Sequence, residues 1–349
     1  MKFRALEIAV LVLLILIPAF GSKLTTFLAT DVVIWGLFAV SLNLLVGYTG
    51  LVSFGHAAYF GIGAYACALL AKNFGVPFVL ALFLAGMTSA AFALVFGFFC
   101  VRLTRVYFSM LTLAFGQIAW AMTFKANEVT GGDQGLTGVP YPGLAWLDQV
   151  PLVSGWSISD RYHILVTLIA AAAIFALRRI VESPFGRMLT IIRENPERAE
   201  FVGVNVRGYQ LAAFVIAGAF AGIAGGMFGV FNRGVFPDLL YWTKSAEVLI
   251  MVLLGGMSFF YGPVLGALVL LWLNQEVTAI TEYWSLVVGC VLLGILFFLP
   301  GGIAGGLSWM FERLSRKSAV ADNLRPGNSD FANEIPAERT KPESSRALS

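Results

Sequence analysis

The chain has 349 residues, of which 58% are hydrophobic and only 12% are charged, with a formal net charge of +3. Soluble domains carry about 25% charged residues, so these proportions exclude a soluble globular domain. The small net charge argues against a nucleic-acid partner. Apolar runs of about 20 residues, the length that crosses a bilayer, recur along the chain and predict an all-α polytopic membrane protein.

Nine apolar segments are expected to form the helices. They fall near residues 5–21, 30–47, 53–71, 77–101, 107–124, 162–181, 209–231, 246–275 and 283–300. The first segment follows Lys2 and Arg4 and ends in small residues, a pattern that resembles a secretory signal. Because a second apolar segment follows at once, we favour a first helix that remains in the protein, with cleavage as the alternative.

The third segment contains the pattern G-x-G-x-x-A within SFGHAAYFGIGAY, residues 53–65. This pattern indicates a dinucleotide site only between a strand and a helix, whereas here it lies inside an apolar run. Small residues recur instead at steps of three and four, which favours close packing of membrane helices. The predicted packing face consists of Ser53, Ala57, Gly61, Ala64 and Ala68.

Five polar residues within or beside the apolar segments are candidates for a translocation pathway or gate. For Asn43 and Gln117 the alternative is a hydrogen bond between helices, because buried amides seek partners. For His56 the alternative to a pathway role is a structural hydrogen bond. Asp133 lies in TGGDQGL (130–136), which forms either a gate, a docking surface or a simple turn capped by Asp133. The spans are poor in ionisable residues, and Glu247 is the nearest candidate for a carboxylate inside the membrane.

No motif for chemistry is recognisable in the sequence. The cysteines lie in apolar segments without the spacing of metal ligands, and neither a phosphate loop nor a G-x-S-x-G elbow occurs. We therefore expect no catalytic residue, metal or cofactor in this chain.

Basic residues predict the orientation of the spans. They cluster after the fourth and sixth segments and after the last, whereas residues 125–160 are acidic. Because positive flanks favour the cytoplasm, both termini are predicted to be cytoplasmic, which requires an even number of crossings. Glycines and a proline interrupt residues 246–275, and each half of about 14 residues reaches about 21 Å, less than the bilayer core of about 30 Å. We therefore predict eight full spans and one broken pair of short helices.

The linker 182–208 predicts two short helices outside the membrane. Ser183 and Asn195 are favoured N-caps, and each precedes a proline, which suits the first helical position. A charged helix that projects from the membrane suits docking of a soluble partner, and an amphipathic surface loop is the alternative. The residues concerned are Pro196, Glu197, Arg198, Ala199, Glu200 and Gly203.

Four stretches, in this order, resemble one family. They are SLNLLVGYTGLVSFGHAAYFGIGAY (41–65), TGGDQGL (130–136), SPFGRMLTIIRENPERAEFVGVNV (183–206) and GGMSFFYGPVLGA (255–267). Together they resemble the high-affinity branched-chain amino-acid permeases of the LivM type, over about residues 30–300. Glu197-Arg198-Ala199 followed by Gly203 is similar to the E-A-A-x-x-x-G coupling motif of ABC importer permeases, but its middle residue differs and the usual downstream Ile-x-Leu-Pro is absent.

The resemblance implies one permease subunit of an importer in the bacterial inner membrane. It implies a second permease of the LivH type, two ABC ATPase subunits that bind ATP and Mg, and a periplasmic binding protein. The helix from residue 196 would be the coupling helix within a permease domain 1–318, and the polar residues 319–349 are expected to form a disordered cytoplasmic tail. The solute would be a branched-chain amino acid, an amide or urea. A self-contained secondary carrier or channel is the alternative.

Overall fold

The structure, a computed structural model, describes residues 2–142, 156–278, 283–299 and 301–306. The described residues up to Gly305 belong to one compact unit. The predicted tail 319–349 lies outside the described residues.

The described ranges are almost entirely helical, which confirms the predicted class, and every apolar segment predicted from the sequence falls on a helix. The α-helices are α1 (Lys2–Phe20), α2 (Lys23–Asn43), α3 (His56–Phe74), α4 (Phe78–Cys100), α5 (Arg105–Lys125), α6 (Asn127–Thr130), α7 (Ile158–Glu182), α8 (Pro184–Glu194), α9 (Pro196–Phe201), α10 (Val206–Phe231), α11 (Trp242–Gly255), α12 (Gly262–Thr278) and α13 (Trp284–Phe298). A two-residue antiparallel pair, β1 (Leu136–Thr137) with β2 (Gly234–Val235), is the unexpected addition.

Five helical segments in the described ranges are long and apolar enough to cross a membrane. They are Lys23–Thr49, Phe78–Cys100, Val106–Lys125, Ile158–Glu182 and Val206–Phe231. The first is longer than α2 because α2 continues into a π-helical turn, Leu44–Thr49.

Helices α3 and α10 pack against each other backbone to backbone. A Cβ at Gly63 would overlap the backbone of Gly222, and a Cβ at Gly225 would overlap the carbonyl group of Phe60. On its other side α10 approaches α4, where a Cβ at Gly226 would lie 2.7 Å from the side chain of Leu82. Glycines at steps of three and four let membrane helices approach closely, so α10 can pack against both neighbours at once.

The predicted packing face of α3 is shorter than expected. Ser53 lies outside it, because α3 begins only at His56. The preceding chain crosses α5 instead, where Gly55 packs on the carbonyl group of Thr112 so closely that a Cβ would not fit. The other members of the predicted face are buried, and Gly61 lies against the side chain of Leu240; these members are Ala57, Gly61, Ala64 and Ala68.

The predicted interruption of residues 246–275 is present. Helix α11 ends at Gly255, and Gly256 has a positive φ of 103° that favours glycine. Helix α12 begins at Gly262, and its Gly266 packs on the backbone of Met251 without room for a Cβ. The two helices therefore lie side by side and join through a short turn.

The α3–α10 contact makes a testable prediction about Gly63. We expect Gly63→Ala to destabilise the protein, because the atoms that meet the new methyl group belong to the backbone of α10 and cannot rotate away. Overpacking of this kind costs about 1–3 kcal/mol, which would lower the midpoint of thermal unfolding in detergent.

Gly289→Ala on α13 is the matched control, because no atom lies within 4 Å of a Cβ built there. Equal unfolding midpoints for the two variants would contradict the close contact.

Candidate functional site

The linker between α7 and α10 folds into the two short helices that the sequence predicts. Asn195 caps α9, accepting a hydrogen bond at 3.0 Å from the backbone N–H of Arg198. Gly203 follows the helix with a φ of 85°, where glycine is favoured. Ser183 does precede α8, but its hydroxyl donates to the carbonyl oxygen of Ile180 at 2.6 Å and does not cap the helix.

Helix α9 has one anchored face and one exposed face. Ala199 is buried against Ile192 of α8 and Val206 of α10. On the exposed side, Phe201 and Val202 are 90% and 79% exposed. Exposed apolar groups beside charges are typical of an interaction surface. The charged residues of this face are Glu197, Arg198 and Glu200, all exposed, while Pro196 is half-buried.

Helix α8 connects α9 to the end of α2. The guanidinium group of Arg193 donates a hydrogen bond to the carbonyl oxygen of Gly47 in the π-helical turn. The stem of Arg193 also covers Gly50, where a Cβ would lie 3.0 Å from its Cγ. Single π-helical turns inside helices occur frequently at functional sites. A movement of α8 would therefore reach α2 directly.

The stretch TGGDQGL lies at the opposite end of α10 from α9. Helix α10 starts beside α9 and has 26 residues, a length of about 39 Å, and β2 beyond its end pairs with β1 of this stretch. Asp133 is exposed. The turn is held by Thr130, whose hydroxyl donates to the carbonyl oxygen of Thr123 at 2.6 Å and accepts from the N–H of Gly132 at 3.2 Å.

His56 is fully buried at the start of α3. Its Nε2 lies 3.0 Å from the hydroxyl of Ser41, and its ring stacks on Phe38 with 5.4 Å between centroids. The hydroxyl of Ser41 also donates to the carbonyl oxygen of Phe38. Next to it, the N–H of Ala57 donates to Ser245 of α11 at 2.8 Å. The start of α3 is thus fixed to both α2 and α11.

Two side-chain amides have buried atoms without hydrogen-bond partners in the described part of the chain. Asn43 is 1% exposed, and neither atom of its amide has a partner there. It lies beside Gly47, which also faces the carbonyl oxygen of Met257 in the α11–α12 turn. The Nε2 of Gln117 on α5 is likewise unpaired within these ranges. Within the described residues, therefore, neither the amide of Asn43 nor the Nε2 of Gln117 forms the hydrogen bond between helices that the sequence analysis gave as the alternative.

A charged cluster at α2 and α11 contains the remaining candidate, Glu247. Its carboxylate lies 2.7 Å from the Nζ of Lys244, and that ammonium group lies 5.4 Å above the ring of Trp35. Asp31 lies four residues before Trp35 on α2. Asp31 is not among the residues predicted from the sequence, although an aspartate inside an apolar segment is the signal that could have found it.

The structure does not gather the five pathway candidates into one site. Asn43 lies at the π-helical turn, His56 between α2 and α3, and Glu247 in the charged cluster, whereas Gln117 and Asp133 lie elsewhere. In the described ranges, no group of three or more His, Cys, Asp or Glu residues is arranged to hold a metal ion.

A family model described as the permease component of the branched-chain amino acid transport system matches residues 24–296. The chain belongs to this family. It is 30% identical over 318 residues to the LivM high-affinity branched-chain amino acid transport system permease proteins of Escherichia coli and Salmonella typhimurium, covering 86% of this chain and 75% of theirs. It is 23% identical over 291 residues to LivH of Salmonella typhimurium, covering 78% of this chain and 91% of that protein. No solved structure matches the chain.

Family membership confirms the resemblance seen in the sequence and identifies a multi-pass membrane permease. Arg193 is one of the side chains that join the linker helices to the membrane helices.

Removing the guanidinium group of Arg193 should loosen the π-helical turn of this permease. Hydrogen bonds from charged groups contribute about 1.5–3 kcal/mol, so we expect Arg193→Gln to speed hydrogen exchange of the amides of residues 44–50 by about tenfold or more. Hydrogen-exchange mass spectrometry in lipid nanodiscs measures this effect.

Arg187→Gln is the matched control, because Arg187 lies on the same helix and is exposed. Unchanged exchange in Arg193→Gln would show that the turn does not depend on this contact.

Proposed function

We propose that this chain is a transmembrane subunit of an ATP-binding-cassette importer that translocates branched-chain amino acids or related small polar solutes such as amides and urea. The observation that carries the proposal is helix α9, which is capped, anchored on one face and exposed on the other, in a chain whose relatives are named for branched-chain amino acid transport. Such a helix suits the transmission of force from a soluble motor to a membrane bundle.

The proposed motor is a pair of ABC ATPase subunits that bind ATP and Mg. Phe201 and Val202 would enter an apolar groove of an ATPase, and Glu197 and Glu200 would contact its rim. Because Ala199 anchors α9 to α8, and Arg193 of α8 bonds to α2, closure of the ATPases would be transmitted to the membrane helices through a short chain of contacts. The chain itself has no role as an enzyme in this scheme.

Two further partners complete the proposed importer. Similarity to both LivM and LivH proteins supports a second permease of the LivH type, which would supply the other half of the translocation pathway. A periplasmic binding protein would deliver the solute at the end of the bundle that carries TGGDQGL, the end opposite to α9. The remaining surface of the helices would face membrane lipid.

We place α9 on the cytoplasmic side of the bacterial inner membrane, with both termini also cytoplasmic. The topology would consist of eight full spans and the α11–α12 pair, which would enter the membrane and return without crossing it. Helix α11 has 14 residues and a length of about 21 Å, which is shorter than the bilayer core.

Site-directed labelling tests this orientation. We expect cysteines introduced at Asp133 and Glu200 to react with an impermeant maleimide from opposite sides, because these exposed residues lie at opposite ends of α10. The native Cys67, Cys100 and Cys290 must first be replaced, since Cys290 is exposed. Labelling of both positions from the periplasm would contradict the proposed topology.

Charge reversal on α9 tests the coupling role. We expect Glu197→Lys combined with Glu200→Lys to abolish ATP-dependent uptake of leucine by proteoliposomes that contain the complete importer, because the reversed charges would repel the docking surface of the ATPase. The variant should still insert and associate with the second permease, as measured by co-purification.

Glu276→Lys is the control, because Glu276 is exposed on α12 and belongs neither to α9 nor to the stretch that contains Asp133. Undiminished uptake by the double variant would refute the coupling role of α9. Uptake by vesicles that contain this chain alone would favour a self-contained carrier instead.

A further inference from the structure

The α11–α12 turn, residues 256–261, packs against the part of α2 that the linker helices hold. Arg193 of α8 donates a hydrogen bond to the carbonyl oxygen of Gly47 in the π-helical turn. A Cβ at Gly47 would lie only 2.6 Å from the carbonyl oxygen of Met257 in the α11–α12 turn. The same glycine therefore contacts α8 through its carbonyl group and the α11–α12 turn through its Cα.

A second contact holds the other end of the α11–α12 turn. The Nη1 of Arg178, one turn before the end of α7, donates a hydrogen bond at 3.0 Å to the hydroxyl oxygen of Tyr261, and the guanidinium carbon lies 5.7 Å from the centroid of the same ring. Glu182 orients this guanidinium group, because its carboxylate accepts from Nε at 2.6 Å. Helix α8 begins at Pro184, two residues after Glu182. The two contacts of the α11–α12 turn thus lie at the two ends of α8.

The α11–α12 turn is tightly folded but only partly covered by this chain. Gly256 has a positive φ of 103°, and a Cβ there would overlap the carbonyl oxygen of Gly301. No side chain of the turn is charged. Three of its large side chains remain exposed, namely Met257 at 37%, Phe259 at 37% and Tyr261 at 39%.

This combination of irregular backbone and exposed apolar side chains is typical of a pathway constriction. Irregular backbone at membrane depth is tolerated only where protein buries it or where it lines a cavity, and the two short helices of a broken pair commonly border the pathway of a transporter. Rings of apolar side chains can close such a pathway by excluding water. The exposed side of the α11–α12 turn offers such side chains.

We propose that the α11–α12 turn is the inner gate of the translocation pathway and that Arg178 is the positioning residue that holds it closed. The inference rests on the proposed import function and assigns it a moving part. A displacement of α8 by the ATPases would act on the gate from both ends, through Gly47 at one end and Arg178 at the other. Breaking the hydrogen bond to Tyr261 would release the apolar side chains of the turn from the pathway.

Removal of one oxygen atom tests the gate. Tyr261→Phe keeps the ring and deletes the acceptor of Arg178, so the closed gate should become less stable while the solute site is unaltered. We expect the ATP-independent efflux of radiolabelled leucine from loaded proteoliposomes that contain the complete importer to rise about tenfold or more. The KM for ATP-driven uptake should stay unchanged. Arg178→Gln should produce the same leak.

Tyr107→Phe is the matched control, because it removes the same oxygen from a tyrosine of α5 that is 64% exposed. A purely structural contact would lower the yield and the midpoint of thermal unfolding of the Tyr261→Phe and Arg178→Gln complexes, while the complexes that assemble would retain leucine. Unchanged efflux in Tyr261→Phe would therefore overturn the inference.

A labelling measurement tests the gate without weakening it. In a background free of native cysteines, Met257→Cys should react with an impermeant maleimide from the α9 side several-fold faster when the ATPases are trapped with ATP and vanadate. An equal rate with and without the trapped nucleotide would show that the α11–α12 turn does not move in the cycle, and would also overturn the inference.

The same assays separate this inference from the proposed function. Absence of ATP-dependent leucine uptake by the wild-type importer would overturn both. Normal uptake by the wild type, together with unchanged efflux in Tyr261→Phe, would overturn only the gate and leave the import function in place.

Discussion

The close contact of α3 with α10 is the constraint on which the rest of the bundle depends. Because Gly63 and Gly222 bring two backbones together, α3 is held at a depth where His56 reaches Ser41 of α2 and the N–H of Ala57 reaches Ser245 of α11. Helix α10 then carries α9 at its beginning and the strand that pairs with β1 beyond its end. One glycine contact thus positions both ends of the permease relative to its interior.

Helix α2 connects the linker helices to the interior of the bundle. Its π-helical turn receives Arg193 from α8, and its middle carries Asp31 and Trp35. Between them lies Asn43, a buried amide without a partner in the described part of the chain. Burial of an unpaired amide is costly, which suits a position that is satisfied by a second subunit, by water or by a passing solute.

The broken helix explains how charge is accommodated inside an apolar bundle. A full span would have continued the apolar surface past Trp35, whereas α11 starts there and places Lys244 and Glu247 in its first two turns. The glycines at the α11–α12 turn allow the second half to return beside the first, so backbone groups near the turn are enclosed by protein. Irregular backbone is tolerated at membrane depth only under this condition. The discontinuity and the charged residues therefore belong to one arrangement.

The sequence by itself determined the features that depend on neighbouring residues. Apolar runs predicted the helices, Asn195 before Pro196 predicted the start of α9, and Gly255–Gly256 predicted the break after α11, because periodicity, capping and glycine conformation are local. Only the tertiary structure decided that Ser53 lies outside α3, that Arg193 bonds to Gly47, and that Lys244 lies over the ring of Trp35. These outcomes depend on groups far apart in the chain, whose meeting is set by how closely the helices pack and not by the spacing within any one of them.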